Sequence, residues 1–186
     1  MTTTINYIDD LVLRCRKGEQ RAQLEIYNKY YRAMYNTALR IVNDTAEAED
    51  VMQEAFIKAF AKIESFEGKS TFGAWLKKIV VNLSINSFNK KVKYQEVPYQ
   101  DAFKNEISED EGIDLKEEET NAKVQKVLNA MKGIKNNYRI ILNLHLIEGY
   151  DYDEICEIMK ISAANCRTTI SRAKESLRTK LLENEK

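Results

Sequence analysis

YDYDEICEIMKISAANCRTTISRAKESLRTKL, Tyr150 to Leu181, decides how this chain folds. Ile155, Ile158 and Met159 mark a short helix. Lys160, Ile161 and Ser162 then turn the chain, and Ser162 is a natural N-cap. Cys166, Ile170, Ala173, Leu177 and Leu181 follow at steps of four, three, four and four, the spacing of one helix face. Two short helices joined by a tight turn make a helix-turn-helix. The second helix turns Arg167, Thr168, Ser171, Arg172, Lys174, Arg178 and Lys180 away from that face. From Lys160 to Lys180 there are six bases and one acid, Glu175. A basic helix with Thr and Ser among its cations suits the major groove of duplex DNA.

Upstream, Val124, Val127, Leu128 and Met131, then Ile140, Ile141, Leu144 and Ile147, predict two more amphipathic helices. His145 sits among apolar neighbours and reads as structural. These segments form a small helical domain over residues 121–186. Before it, residues 92–120 hold three bases, ten acids and the only Pro, Pro98. With little apolar periodicity, that stretch reads as an acidic, flexible linker.

The N-terminal part, 1–91, is a second helical unit. Leu24, Tyr27, Tyr31, Met34, Tyr35, Ala38, Leu39 and Val42 recur at helical steps. Asp44, with Glu47 three residues on, caps the next helix. Val51, Met52, Ala55, Phe56, Ala59, Phe60 and Ile63 form its apolar face, with Asp50, Gln53, Glu54 and Lys58 largely opposite. Then comes FEGKSTFGAWLKKI, Phe66 to Ile79, with the only Trp of the chain, Trp75. Gly68 suits a tight turn, and Ser70 or Thr71 can cap the helix that follows.

Charge is balanced overall, 29 bases against 29 acids, but not evenly spread. Asp44 to Glu67 holds seven acids and only Lys58 and Lys62, whereas Gly68 to Gln95 holds no acid and six lysines. Adjacent acidic and basic faces call for two different partners. A Trp among cations on an acid-free helix can also stack bases of single-stranded nucleic acid. Phe66, Phe72 and Trp75 are open to either role, core or stacking.

Other classes fall away. No apolar run approaches the roughly 20 residues that a membrane helix needs, and the N-terminus lacks the features of a secretory signal. Membrane insertion is therefore not expected, and the chain reads as cytoplasmic. Cys15, Cys156 and Cys166 form no CxxC pair, and there is one His, which speaks against a disulfide framework or zinc. With no nucleophile–base pair and no phosphate loop, no catalytic residue, cofactor or metal is expected.

Three motifs in order resemble the extracytoplasmic-function (ECF) sigma factors, specificity subunits of bacterial RNA polymerase. AEDVMQEAFIKAF, Ala48–Phe60, looks like their polymerase-binding helix. SFEGKSTFGAWLKKIVVNLSINSFNKK, Ser65–Lys91, looks like their promoter-melting loop and helix, and Tyr150–Arg178 like their C-terminal helix-turn-helix. The resemblance implies an all-α chain of two small helical domains, an N-terminal bundle and a C-terminal four-helix domain, joined by the acidic linker. It implies that Asp50, Gln53, Glu54 and Lys58 dock on core RNA polymerase. It assigns the melted −10 strand of promoter DNA to Gly68, Lys69, Ser70, Thr71, Phe72, Trp75, Lys78, Asn82, Lys90 and Lys91. The −35 duplex falls to Arg167, Thr168, Ser171, Arg172, Lys174 and Arg178. An anti-sigma factor is the expected regulatory partner.

Three departures from the family pattern stand out. Lys160 occupies a turn position where Gly is common, so it must tolerate a strained or left-handed backbone. Cys166 stands where Val is usual, and Thr169 where Arg is frequent. The rival reading is a free-standing helix-turn-helix regulator, which leaves the acidic face and the Trp segment without a task.

Overall fold

A computed structural model describes residues 7–94 and 118–183. The chain divides into two compact units, Met1–Lys91 and Val92–Lys186. Among the described residues the regular structure is entirely helical. Residues 95–117, most of the predicted linker, lie outside the described residues. Its two ends are helical where they are described.

The first unit contains α1 (Tyr7–Arg16), α2 (Gln20–Val42), α3 (Thr45–Ala61), a 3-10 turn (Ile63–Ser65) and α4 (Phe72–Tyr94). Its core draws Leu11, Val12 and Cys15 from α1, Ile26, Met34 and Ala38 from α2, Val51, Met52 and Phe56 from α3, and Phe72, Leu76 and Val80 from α4. Ala38, Ala48, Ala55 and Ala59 are fully buried. Such small side chains let α2 and α3 approach closely, and Tyr27 fills the seam with its ring 4.8 Å from that of Phe56.

The apolar face of α2 differs from the sequence expectation. Leu24 is 59% exposed, while Ala22, Ile26 and Ile41 are buried. The buried row runs through residues 22, 26, 34, 38 and 41–42, and the tyrosines pack along its margin, each ring partly covered. Apolar identity alone did not tell the two edges of the stripe apart.

Between α2 and α3 the chain reverses at Asn43, which takes the left-handed conformation (φ 56°, ψ 38°) and donates its N–H to the Leu39 carbonyl. Asp44 then caps α3 as expected, its Oδ1 accepting the Glu47 N–H at 3.1 Å. The Lys91 ammonium, on α4, lies 3.2 Å from Asp44 Oδ2 and 3.0 Å from Glu47 Oε2. Ser87 donates to Glu47 as well. Burial opposes the Lys91 charge, but the two carboxylates outweigh it and hold its pKa above the usual lysine value. The Glu47 N–H and then Lys91 hold the Asp44 carboxyl below its usual value.

The second unit contains α5 (Glu118–Lys132), α6 (Asn136–Leu142) running into a π-helical turn (Asn143–Ile147), α7 (Tyr152–Met159) and α8 (Ala163–Glu183). Ile140, Ile141, Leu142, Leu144, Ile155, Cys166, Ile170 and Ala173 form its centre, all at most 2% exposed. Helix α5 buries Ala130 and Met131 of its last turn, whereas Val124 and Val127 are 45% and 37% exposed. The sequence reading set both on the apolar face of an amphipathic helix. Ile147, also expected in the core, is 40% exposed, because the wider π turn carries it out of the α6 register. His145 is structural: its Nδ1 lies 3.2 Å from the Tyr150 carbonyl and its ring stacks on Tyr152 at 5.1 Å.

Replacing Asp44 tests the junction of α3 and α4. Asp44→Ala removes a cap and one arm of the Lys91 bridge, at a cost of about 1–2 kcal/mol. A carboxyl held below its unfolded pKa stabilises fully above pH ~4, and the contribution fades as pH falls through the lowered value. Urea unfolding of the full chain should show the wild type ahead of Asp44→Ala at pH 7, with the gap narrowing at about pH 3.

Candidate nucleic-acid interface

Phe66 and Phe72 fix a short loop at both feet. They are 6% and 2% exposed, and their rings meet edge to face at 5.5 Å. The residues between them, Glu67 to Thr71, are all exposed. Gly68 supplies the turn at φ +72°, with open space where a Cβ would stand, so conformation and not crowding requires glycine there. Arg16, on α1, donates to the Phe66 carbonyl and faces Glu64 at 3.8 Å. At the other foot, Thr71 is the cap that the sequence left open between Ser70 and Thr71: its Oγ1 accepts the Ala74 N–H at 3.2 Å.

Gly73 belongs to the first turn of α4, not to the loop. A Cβ there would lie 2.9 Å from the Tyr30 ring, which covers this turn and sits 5.7 Å from Phe72. The second glycine is thus kept for packing.

Trp75 is half-buried, with its ring 5.4 Å from Phe66 and 5.5 Å from Phe72. The three aromatics therefore divide their work. Phe72, expected at the melted strand, is a core residue, as is Phe66. Full burial of such a ring contributes about 1.5–3 kcal/mol. Stacking on a base returns about 1–3 kcal/mol, so withdrawing Phe72 from the core for that purpose gains nothing. Trp75 already shows part of its ring and can stack without leaving its pocket.

Helix α4 sorts its polar residues by face. Lys78, Asn82 and Lys90 are exposed and follow Trp75 at helical spacing down one side. Asn86 and Asn89, which sequence reasoning did not select, are exposed on that same side. Lys91, expected in the DNA set, lies on the opposite side, where it bridges Asp44 and Glu47. In the loop, Lys69 pairs with Glu67. Both are well exposed, so water weakens that pair.

On α3, Glu49, Asp50, Gln53, Glu54 and Lys58 are all exposed. Gln53 donates to Glu49 at 3.3 Å, and Lys58 lies 2.6 Å from Glu54. Ile57 stands among them at 69% exposure. The sequence signal for it was available: an Ile one residue off the buried Ala55, Phe56 and Ala59 row. An acidic surface with an apolar residue at its centre can hold a protein partner through desolvated contact as well as charge.

In the second unit, α7 opens with a capping box: the Asp151 carboxylate accepts the Glu154 N–H at 2.8 Å, and Glu154 accepts the Asp151 N–H at 3.0 Å. Lys160 ends α7 in the left-handed conformation, φ 55° and ψ 47°, as its place in the turn required. Both the Lys160 and the Ile161 N–H groups point to the Cys156 carbonyl. Ser162 caps α8, its Oγ accepting the Asn165 N–H at 3.3 Å.

Cys166, Ile170, Ala173 and Leu177 hold α8 against its domain. Arg167, Thr168, Ser171, Arg172 and Arg178 face solvent, and Lys174 is half-buried. Thr168 donates its hydroxyl back to the Ala164 carbonyl at 2.9 Å. Arg178 bridges Glu175 at 3.0 Å, both being about 70% exposed. Behind α8, Arg139 on α6 is 4% exposed. Burial lowers its pKa to about 10, and Asn136 Oδ1 accepts from its guanidinium at 3.3 Å.

A helical chain that ends in a basic helix-turn-helix has the build of a DNA-binding transcription protein. The Sigma-70 region 2 model matches residues 26–94, and the Sigma-70, region 4 model matches residues 125–177. The chain is 31% identical to the ECF RNA polymerase sigma factor SigW of Bacillus subtilis strain 168, across 91% of this chain and 94% of that one. It is 30% identical to the ECF RNA polymerase sigma-E factor of Escherichia coli K12, across 92% of each. This chain belongs to the family of ECF RNA polymerase sigma factors. The fold agrees with the sigma factor RpoE of Bartonella quintana, crystallised with the anti-sigma factor NepR (TM-score 0.56, 22% identity, 87% of this chain and 97% of that one). It agrees equally with CnrH in complex with the cytosolic domain of CnrY (TM-score 0.55, 19% identity, 95% and 97%). Both sigma regions are present in one chain, which disfavours the free-standing regulator. Sigma factors are regulatory subunits of transcription initiation and not enzymes.

The Lys160 backbone provides a test of the turn. Left-handed φ costs a non-glycine residue about 1–2 kcal/mol. Lys160→Gly should raise the stability of the chain by about 1 kcal/mol, and Lys160→Val should lower it. Denaturant midpoints of the two variants against wild type decide.

Proposed function

We propose that the two units divide promoter recognition residue by residue. The exposed loop of Gly68, Lys69, Ser70 and Thr71 captures an unstacked base of the −10 element, and Trp75 stacks beside it. Lys78, Asn82 and Lys90 follow the backbone of that strand along α4. Unstacking a base costs a few kcal/mol, which stacking and phosphate contacts offset. Helix α8 enters the −35 major groove with Arg167, Thr168, Ser171 and Arg172 toward base edges, and Lys174 and Arg178 toward phosphates. Asp50, Gln53, Glu54 and Lys58, with Ile57 among them, dock on core RNA polymerase. The acidic segment 92–120 connects the two.

The observation that carries this reading is the partition of α4. Its Trp75 side is free of acids and exposed, and its opposite side is tied by Lys91 to the acidic start of α3. One helix thereby separates a nucleic-acid surface from a protein surface. The chain acts as a binding subunit in the cytoplasm, with no catalysis of its own. By likeness to RpoE, which crystallised with NepR, an anti-sigma factor is the regulatory partner.

Two experiments test the assignment. Reversing Asp50 and Glu54 to Lys should weaken assembly with core polymerase at least tenfold, the loss expected when like charges meet across an interface. Unchanged co-elution on gel filtration would remove these residues from the docking surface. Trp75→Ala should leave that assembly intact while permanganate footprinting shows the −10 region closed, and Trp75→Phe should retain part of the opening. Loss of polymerase binding by Trp75→Ala would make the ring purely structural.

A further inference from the structure

Helix α8 carries three threonines, and one of them bonds differently from the others. Thr168 and Thr179 each donate the hydroxyl to the backbone carbonyl one turn back, of Ala164 at 2.9 Å and of Glu175 at 3.1 Å. That is the common local choice of a helical threonine. Thr169 donates instead to a side chain: its Oγ1 lies 3.0 Å from Asn165 Oδ1. Asn165 is exposed and Thr169 partly buried. The backbone of Asn165 is held as well, because its N–H donates to Ser162 Oγ at 3.3 Å. Sequence reasoning did not select Asn165 for DNA, and it took Thr169 only as a departure from the family pattern.

We propose that Asn165, oriented by Thr169, is a further specificity-determining residue for the −35 element and reads guanine on its major-groove edge. In a helix-turn-helix the N-terminal residues of the second helix reach base edges, and Asn165 lies in the first turns of α8. It shares one side of α8 with Thr168 and Arg172, three and seven residues on. Oδ1 and Nδ2 diverge from one carbon, so the bond that draws Oδ1 back to Thr169 turns Nδ2 away from it. Nδ2 carries two N–H donors, and among the described residues it has no acceptor. The group presented to DNA is therefore a donor. Guanine offers two acceptors, N7 and O6. Adenine sets N7 beside an amino donor, thymine sets O4 beside a methyl group, and cytosine offers only a donor.

The Thr169 hydroxyl thus decides between two readings by the same asparagine. An amide that can turn pairs Oδ1 with the adenine amino group and Nδ2 with adenine N7. With Oδ1 held by Thr169 that double contact is withdrawn, and guanine is favoured. A side chain already ordered before binding also loses less entropy on contact. The inference rests on the proposed −35 role of α8.

Holoenzyme assembled from core polymerase and the full chain initiates on barcoded promoters whose −35 region is randomised, and the transcripts are counted by sequencing. Wild type should prefer guanine at one base pair where Asn165→Ala shows no preference. The loss of discrimination at that pair should be about fivefold or more, with the other positions unchanged. Replacing that guanine by 7-deazaguanine should weaken initiation by wild type and not by Asn165→Ala. Thr169→Val should move the preference at that pair from guanine toward adenine, and Thr169→Ser should keep guanine. An equal loss on every −35 sequence by Asn165→Ala makes its role a phosphate contact or a structural one and overturns the inference. So does Thr169→Val with the guanine preference intact. If wild type itself shows no −35 preference, the −35 role of α8 fails first, and the inference falls with it.

Discussion

The contact on which the first unit's proposed DNA surface depends is the edge-to-face pair of Phe66 and Phe72. A loop of five exposed residues has little to order it from within, and each unfixed residue carries about 1–2 kcal/mol of backbone entropy. Burying one aromatic at each foot confines both ends. Tyr30 above Gly73 and Arg16 on the Phe66 carbonyl complete the frame. The loop can then offer backbone and small side chains to a ligand at little further entropic cost, which is the advantage of preorganisation. Trp75 closes the cluster on its exposed side, so the ring available for stacking is oriented by the two that are not.

The second unit solves a related problem by other means. A tight turn between α7 and α8 needs one left-handed residue, and Lys160 supplies it against its own preference. The strain is outweighed by what surrounds it: a capping box at Asp151, a serine cap on α8, and two N–H groups on one carbonyl. The buried row of Cys166, Ile170, Ala173 and Leu177 fixes the rotation of α8, so the cationic side is set by packing and not by the charges themselves.

The sequence made most of the architecture legible. The turn and caps of the helix-turn-helix, the Asp44 cap and the apolar face of α3 follow from local rules that tertiary structure left intact. Ile147 is carried out of its face by the π turn. Three other differences share a cause. Leu24, Val124 and Val127 are apolar residues at helical spacing whose exposure depends on which neighbouring helix covers them, and spacing carries no information about that. The same holds for Phe72 and Trp75, three residues apart. Both are aromatics of the first turns of α4, and only the position of Tyr30 and Phe66 puts one inside and one at the surface. Lys91 looked like its neighbour Lys90 until the fold brought Asp44 and Glu47 to it. Long-range partners of this kind, here more than forty residues away in sequence, are what a linear pattern cannot contain.

Charge segregation also explains why such a chain would need its polymerase to act. With 29 bases and 29 acids the whole has no net attraction for DNA. Each proposed DNA surface offers only a few cations, and the salt dependence of binding scales with the number of phosphates neutralised. Two such surfaces, each weak alone, become effective when a third body holds both near one promoter, because the second contact then forms at high effective concentration. The acidic face on α3 would serve this end twice. In the proposed docking it gives the polymerase a surface to grip, and its repulsion of phosphate would lower the affinity of the free subunit for DNA outside that assembly.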